Sequence, residues 1–183
     1  MKHVLSGRGM LEAVLMGELP RETTGSFDQV VRQRETQVLR TAFRILGNWA
    51  DAEDVAQEVF LRLHKNGLKF ANEAAVGGWL YRVTVNLCVD RTRSARPAQE
   101  LPELTSPDRS AEAVVLIEEE KQRLMAALAT LSTKERAAVV LREIEGLSTA
   151  EVAEVLGSSG VTVRSQISKA MVKLRGILNR EEV

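Results

Sequence analysis

From Phe27 onward, apolar residues recur at three- and four-residue steps, the spacing that lines one face of an α-helix. Phe27, Val30, Val31, Val38, Leu39, Ala42, Phe43 and Leu46 predict one long helix or two short ones, stopped near Gly47-Asn48. Asp51 is expected to cap the next helix, because Glu53 and Asp54 place carboxylates in a first turn where the helix dipole favours them. That helix should run to about Lys65. Its apolar stripe is Val55, Val59, Phe60 and Leu63, with Asp54, Gln57, Glu58, Leu61 and Arg62 off it. After a loop over Gly67 to Gly78, the segment from Trp79 to Arg93 reads as a helix that is apolar around most of its circumference. It keeps only a narrow polar stripe of Arg82, Asn86, Asp90 and Arg93, which predicts burial on most sides.

The pattern then breaks. Ser94 to Ser110 holds Pro97, Pro102 and Pro107 among Ser, Thr, Gln and Asp, which is linker composition. At about 3.3 Å per residue such a stretch reaches on the order of 50 Å. Helical spacing resumes after an acidic run (Glu112, Glu118, Glu119, Glu120) with Leu124, Leu128 and Leu131. Ser132 with Glu135, and Ser148 with Glu151, each have the spacing of a capping box. The expected fold is all-α, with two small helical domains joined by a flexible linker. Residues 1–26, rich in Gly and Thr with Pro20, form a mobile leader with at most one short helix around Met10 to Met16. Residues 27–94 form the first domain, 95–110 the linker and 111–183 the second domain.

Leu147 to Leu174 has the grammar of a helix-turn-helix. A capped helix turns Val152, Val155 and Leu156 inward, the chain breaks at Gly157-Ser158-Ser159-Gly160, and a second helix turns Val163, Ile167, Ala170 and Leu174 inward. Its other face carries Thr162, Arg164, Ser165, Gln166, Lys169 and Lys173, hydroxyl, amide and cationic groups suited to base edges and phosphates. Charge sharpens this reading. The chain balances 25 basic against 25 acidic residues, yet Gly157 to Arg180 contains Arg164, Lys169, Lys173, Arg175 and Arg180 and no acid. A solvated basic face is the plain alternative; two tightly spaced helices with segregated charge favour DNA.

Little points to catalysis. The lone cysteine, Cys88, sits in an apolar helix, which rules out an internal disulfide and a Cys-rich zinc site. His3 and His64 are far apart, and no glycine motif cradles a phosphate. The apolar stretch from Met10 to Leu19 is too broken for a signal peptide core, and no run is long enough to span a membrane. The expectation is a cytoplasmic, non-enzymatic protein with no cofactor, metal, small-molecule substrate or membrane insertion.

The segment Asp51-Ala52-Glu53-Asp54-Val55-Ala56-Gln57-Glu58-Val59-Phe60-Leu61-Arg62-Leu63 resembles the region 2.2 helix of the sigma-70 family, in particular its extracytoplasmic-function group. Trp79-Leu80-Tyr81-Arg82-Val83 with Asn86-Leu87 and Asp90 is similar to that family's region 2.3 and 2.4 helix, and Thr162-Val163-Arg164-Ser165 to its region 4.2. The resemblance covers roughly Phe27 to Leu178. It implies that Asp51, Asp54, Gln57, Glu58 and Arg62 contact core RNA polymerase, and that Asn72, Arg82, Asn86 and Arg93 lie along the minus 10 element. The helix from Thr162 to Lys173 would read the minus 35 element. It also implies an anti-sigma factor as partner, and a base pocket in the loop from Leu68 to Gly78, where Phe70, Asn72 and Glu73 are the base-facing candidates. Gly160-Val161 stands where the family more often has the opposite order, and Gln166 where a basic residue is common. Two other readings remain at this stage: a helix-turn-helix repressor or activator acting without polymerase, and a helical protein-interaction adaptor.

Overall fold

The computed structural model describes residues 27–67, 70, 72–94 and 121–178. The expected leader, the Pro-rich linker and the acidic run before residue 121 lie outside the described residues. Among these residues the regular structure is helical, in agreement with the all-α expectation.

The first apolar pattern forms one helix, α1 (Phe27–Leu46), and not two. It ends where Gly47 takes φ +77°, a left-handed conformation that glycine adopts without Cβ strain. The next helix, α2 (Trp49–Asn66), starts earlier than the carboxylates suggested. Asn48, not Asp51, is its cap: the Asn48 side chain accepts from the Asp51 backbone N–H at 3.1 Å. Asp51 therefore sits inside the first turn, where the dipole favours it.

The third helix, α3 (Glu73–Ser94), absorbs much of what the sequence assigned to a loop. Asn72 Oδ1 accepts from the Ala75 N–H at 2.9 Å and starts the helix, and Ala74 and Ala75 are strong helix formers. Gly77 and Gly78, read as loop residues, are helical here, and Val76 is 2% exposed. Packing of this turn outweighs the helix cost of about 1 kcal/mol per glycine.

Residues 121–129 are helical and form α4. Both predicted capping boxes are present. Ser132 opens α5 (Thr133–Val139) with Glu135, and Ser148 opens α6 (Thr149–Val155) with Glu151. A π-helical turn, Val140–Ile144, extends α5. The last helix, α7 (Gly160–Leu178), follows a turn in which Gly157 has φ +58°.

Helices α1, α2 and α3 pack on one another, and α7 packs across α5 and α6. The two groups, the two small helical domains of the expected fold class, pack against each other. α3 touches α5 and α6, α1 touches α5 and the π turn, and one continuous apolar cluster runs through both groups. It includes Ala42, Ile45, Val59, Leu63 and Val85 from the first and Ala137, Val140, Leu141, Val152 and Val163 from the second. A smaller cluster of Leu128, Leu131, Val139, Ala170 and Leu174 seats the far end of α7 on α4 and α5.

Candidate nucleic-acid and polymerase interfaces

Helix α2 turns its apolar stripe inward: Val55, Val59 and Leu63 are buried. Its outer face divides in two. Arg91, from α3, reaches across to the start of α2, where its Nε donates to Asp51 Oδ1 at 2.7 Å and its Nη2 to Asp54 Oδ2 at 2.5 Å. Further along, Gln57, Leu61 and Arg62 are exposed, Leu61 at 46%, and Glu58 accepts from Arg62 Nε at 2.7 Å. The five candidate polymerase contacts thus share one helix face, but three of them already hold a cation of the same chain, Asp51 and Asp54 holding Arg91 and Glu58 holding Arg62. Arg91 is a residue that sequence reasoning missed, since a pairing between helices leaves no periodic trace.

On α3, Arg82, Asn86, Asp90 and Arg93 are all exposed, as the narrow stripe predicted. The opposite side is closed by Val85, Leu80 and Cys88, and Thr84 satisfies its hydroxyl on the Leu80 carbonyl at 2.7 Å. Burial pushes the Cys88 thiol up to about 12, so it stays protonated and unreactive near neutrality. The base-pocket candidates are engaged elsewhere in this state. Phe70 meets Trp79 edge-on at 5.7 Å, Asn72 caps α3, and Glu73 pairs with Arg34 at 2.8 Å.

The helix-turn-helix forms as expected, with Val152, Val155, Val163, Ala170 and Leu174 buried between its helices and their support. Ser159 Oγ accepts from the Thr162 N–H at 3.1 Å and serves the open end of α7. Thr162, Arg164, Ser165 and Lys169 are exposed together on the outer face. Two predicted members differ. Gln166 is half-buried, with its Oε1 enclosed and unpartnered. Lys173 turns back to α5, where its Nζ sits 3.0 and 2.9 Å from the two oxygens of Glu135. That bond, with the Ser132 backbone, holds the Glu135 carboxyl below its ordinary value. Val161 and Val172, each 68% exposed, and Ser168 share the outward side and were not singled out by the sequence.

A buried-core helix unit with a narrow polar stripe, joined to a helix-turn-helix with an acid-free outer face, is the architecture of a DNA-binding transcription protein. Residues 30–97 match the family model for sigma-70 region 2, and residues 121–174 match that for sigma-70, region 4. The ECF RNA polymerase sigma factor SigM of Mycobacterium tuberculosis is 33% identical over 180 residues, covering 97% of this chain and 87% of that protein. The ECF RNA polymerase sigma factor SigE of Mycolicibacterium smegmatis is 38% identical over 159 residues, 84% of this chain, which spans only 62% of SigE. Among solved structures, CnrH in complex with the cytosolic domain of CnrY superimposes with a TM-score of 0.63 at 26% identity, covering 84% of this chain and 88% of that one. The chain belongs to the sigma-70 family, in its extracytoplasmic-function group. That membership displaces the repressor and adaptor alternatives. No helix among the described residues is long and apolar enough to cross a membrane.

Proposed function

We propose that this chain is a promoter-specificity subunit: it binds core RNA polymerase through α2 and directs initiation at promoters whose minus 10 and minus 35 elements meet α3 and α7. The observation that carries this reading is the pair of exposed polar helix faces on one chain, Arg82-Asn86-Arg93 on α3 and Thr162-Arg164-Ser165-Lys169 on α7, in the order of regions 2 and 4. Arg82 and Arg93 hold phosphates and Asn86 offers an amide to base edges. On α7, Arg164 and Lys169 supply the cations and Thr162 and Ser165 the hydroxyls. Gln57, Leu61 and the Glu58–Arg62 pair form the open part of the polymerase face, with Asp51 and Asp54 beside it. The work is binding and positioning, not catalysis, and it takes place in the cytoplasm with polymerase and chromosome. An anti-sigma factor holds the chain in reserve; CnrH, its structural relative, was solved with a partner protein bound.

Run-off transcription tests this. The chain is added to bacterial core polymerase lacking any sigma, on genomic fragments that include its own upstream region. Discrete start sites that vanish with Asp54→Arg support the assignment. Absence of transcripts from folded protein and competent polymerase overturns it.

A further inference from the structure

A recognition helix meets base edges with its N-terminal residues, so the first turns of α7 decide what is read. Between Val161 and Lys169 the exposed positions are Val161, Thr162, Arg164, Ser165, Ser168 and Lys169, and Val161 is the one apolar side chain among them. It is 68% exposed, while the other apolar residues of that stretch, Val163 and Ile167, turn toward the core. Steps of four and three residues set Val161, Ser165 and Ser168 in one line along the helix. At about 100° per residue, Arg164 falls on one side of that line and Lys169 on the other. The Arg164 guanidinium lies back along the first turn, with its Nη1 3.7 Å from where a Cβ on Gly160 would stand. Polar groups beside the line are already engaged or turned in: Thr162 Oγ1 is hydrogen-bonded to Ser159 Oγ at 2.8 Å, Lys173 holds Glu135, and Gln166 Oε1 is enclosed. The helix presents a neutral ridge of small side chains between two cationic flanks.

That cross-section complements a major groove about 12 Å wide. The groove's walls are two phosphate strands, and its floor shows hydrogen-bond donors, acceptors and one kind of apolar group, the C5 methyl of thymine. Cations on both flanks meet the walls, and the ridge faces the floor. The Val161 side chain has no hydrogen bond to give, so the methyl is the one feature of the floor that complements it. The inference rests on the proposed reading of α7 as the minus 35 helix. We propose that Val161 is a specificity-determining residue that packs on a thymine methyl, and so selects the orientation of one A·T pair in the minus 35 element. The hydroxyls of Ser165 and Ser168 both donate and accept, which makes them tolerant readers of a base edge. The methyl contact therefore supplies a discrimination that the rest of the ridge lacks. Val161 belongs to the Gly160-Val161 pair, whose order differs from the one more often found in the family, so this contact sets the chain's readout apart from the common one.

The test uses holoenzyme assembled from the full chain and core polymerase, on a promoter located by run-off transcription. Each thymine of the minus 35 element, on either strand, is replaced in turn by deoxyuridine, which removes the C5 methyl and keeps every hydrogen-bonding group. At one position the parent holoenzyme should bind about 4-fold more weakly, the contribution of one buried methyl group. Val161→Ala should weaken binding to the unmodified promoter and be indifferent to deoxyuridine at that position, so that the two changes do not add. Val172→Ala makes the same chemical change at an equally exposed valine about 16 Å further along α7, and should discriminate as the parent does. Thermal melts of both variants should match the parent's, because neither side chain is buried. The proposal is overturned by a parent indifferent to deoxyuridine at every position, or by a minus 35 element without thymine on either strand. It is equally overturned if Val161→Ala keeps the parent's discrimination or Val172→Ala loses it to the same extent. In each of these cases a discrete start site leaves the sigma reading standing. Absence of any transcript from folded chain and competent polymerase defeats the sigma reading itself, and the Val161 contact falls with it.

Discussion

Helices α3 and α7 are both proposed to meet DNA, yet they are built in opposite ways. α3 is enclosed by α1 and α2 on two sides and by α5 and α6 on a third, so its DNA face is one residue wide. α7 rests on α5 and α6, with only Val163, Ala170 and Leu174 fully buried, and most of its circumference meets solvent. A recognition surface on a helix of the first kind is rigid because the core fixes it; on the second kind it is free to vary because little else depends on it. Substitutions around α3 should therefore damage folding and function together, and substitutions on the outer side of α7 should separate them.

The largest expected effect comes from breaking the core that both groups share. Leu141→Ala removes a fully buried side chain from the cluster and should cost about 2–5 kcal/mol, read as a lower melting temperature of the whole chain. If the α1–α3 group kept its melting temperature while the helix-turn-helix lost its own, the single core would be an incorrect description. Next in size is Arg164→Ala on α7, which should weaken minus 35 binding by about 1–3 kcal/mol with no change in thermal stability. The comparable change on α3, Asn86→Ala, should lower promoter opening on a bubble template and leave duplex minus 35 binding untouched. Equal losses in both assays for either variant would mean that the two faces do not act separately.

The two capping boxes sharpen the contrast further. Ser148→Ala should cost about 1 kcal/mol, as a cap does when it serves its own helix alone. Ser132→Ala should cost at least as much, because its partner Glu135 also anchors Lys173 of α7. Thermal melts of the two variants, with and without Lys173→Ala, measure the difference as a coupling.

The smallest effect is one of pH. The Lys173 and Ser132 bonds lower the folded pKa of Glu135 below its unfolded value of about 4.3. A depressed carboxylate contributes stability that is complete above the unfolded pKa and disappears as pH falls through the folded one. Melting temperatures of the parent and Glu135→Gln chains should therefore differ at neutral pH and converge in acid. Curves that stay parallel down to the acid limit would show that the Lys173 bond contributes nothing.

Much of this was legible in the sequence because it is local. A capping box joins residues three apart, an apolar stripe repeats every three or four, and an acid-free stretch of helix can be counted. Such features survive whatever the helix packs against, so the helices, both boxes, the helix-turn-helix and its basic outer face were all expected. The errors fall where a local signal had a competitor that only packing could decide. Asp51 was a plausible cap until Asn48 was found to reach its N–H. Gly77 and Gly78 argued for a loop until burial of Val76 drew that turn into α3.

The sequence by itself determined an all-helical chain with its acid-faced helix, its narrow-striped helix and its helix-turn-helix in family order. Only the tertiary structure decided which charges are already spoken for: Arg91 on Asp51 and Asp54, Lys173 on Glu135, and Glu145 on three donors more than 60 residues away. The physical reason is that a helix's own hydrogen bonds depend on neighbours along the chain. The partner of a side chain that leaves the helix depends on where another helix packs, and no period in the sequence encodes that distance.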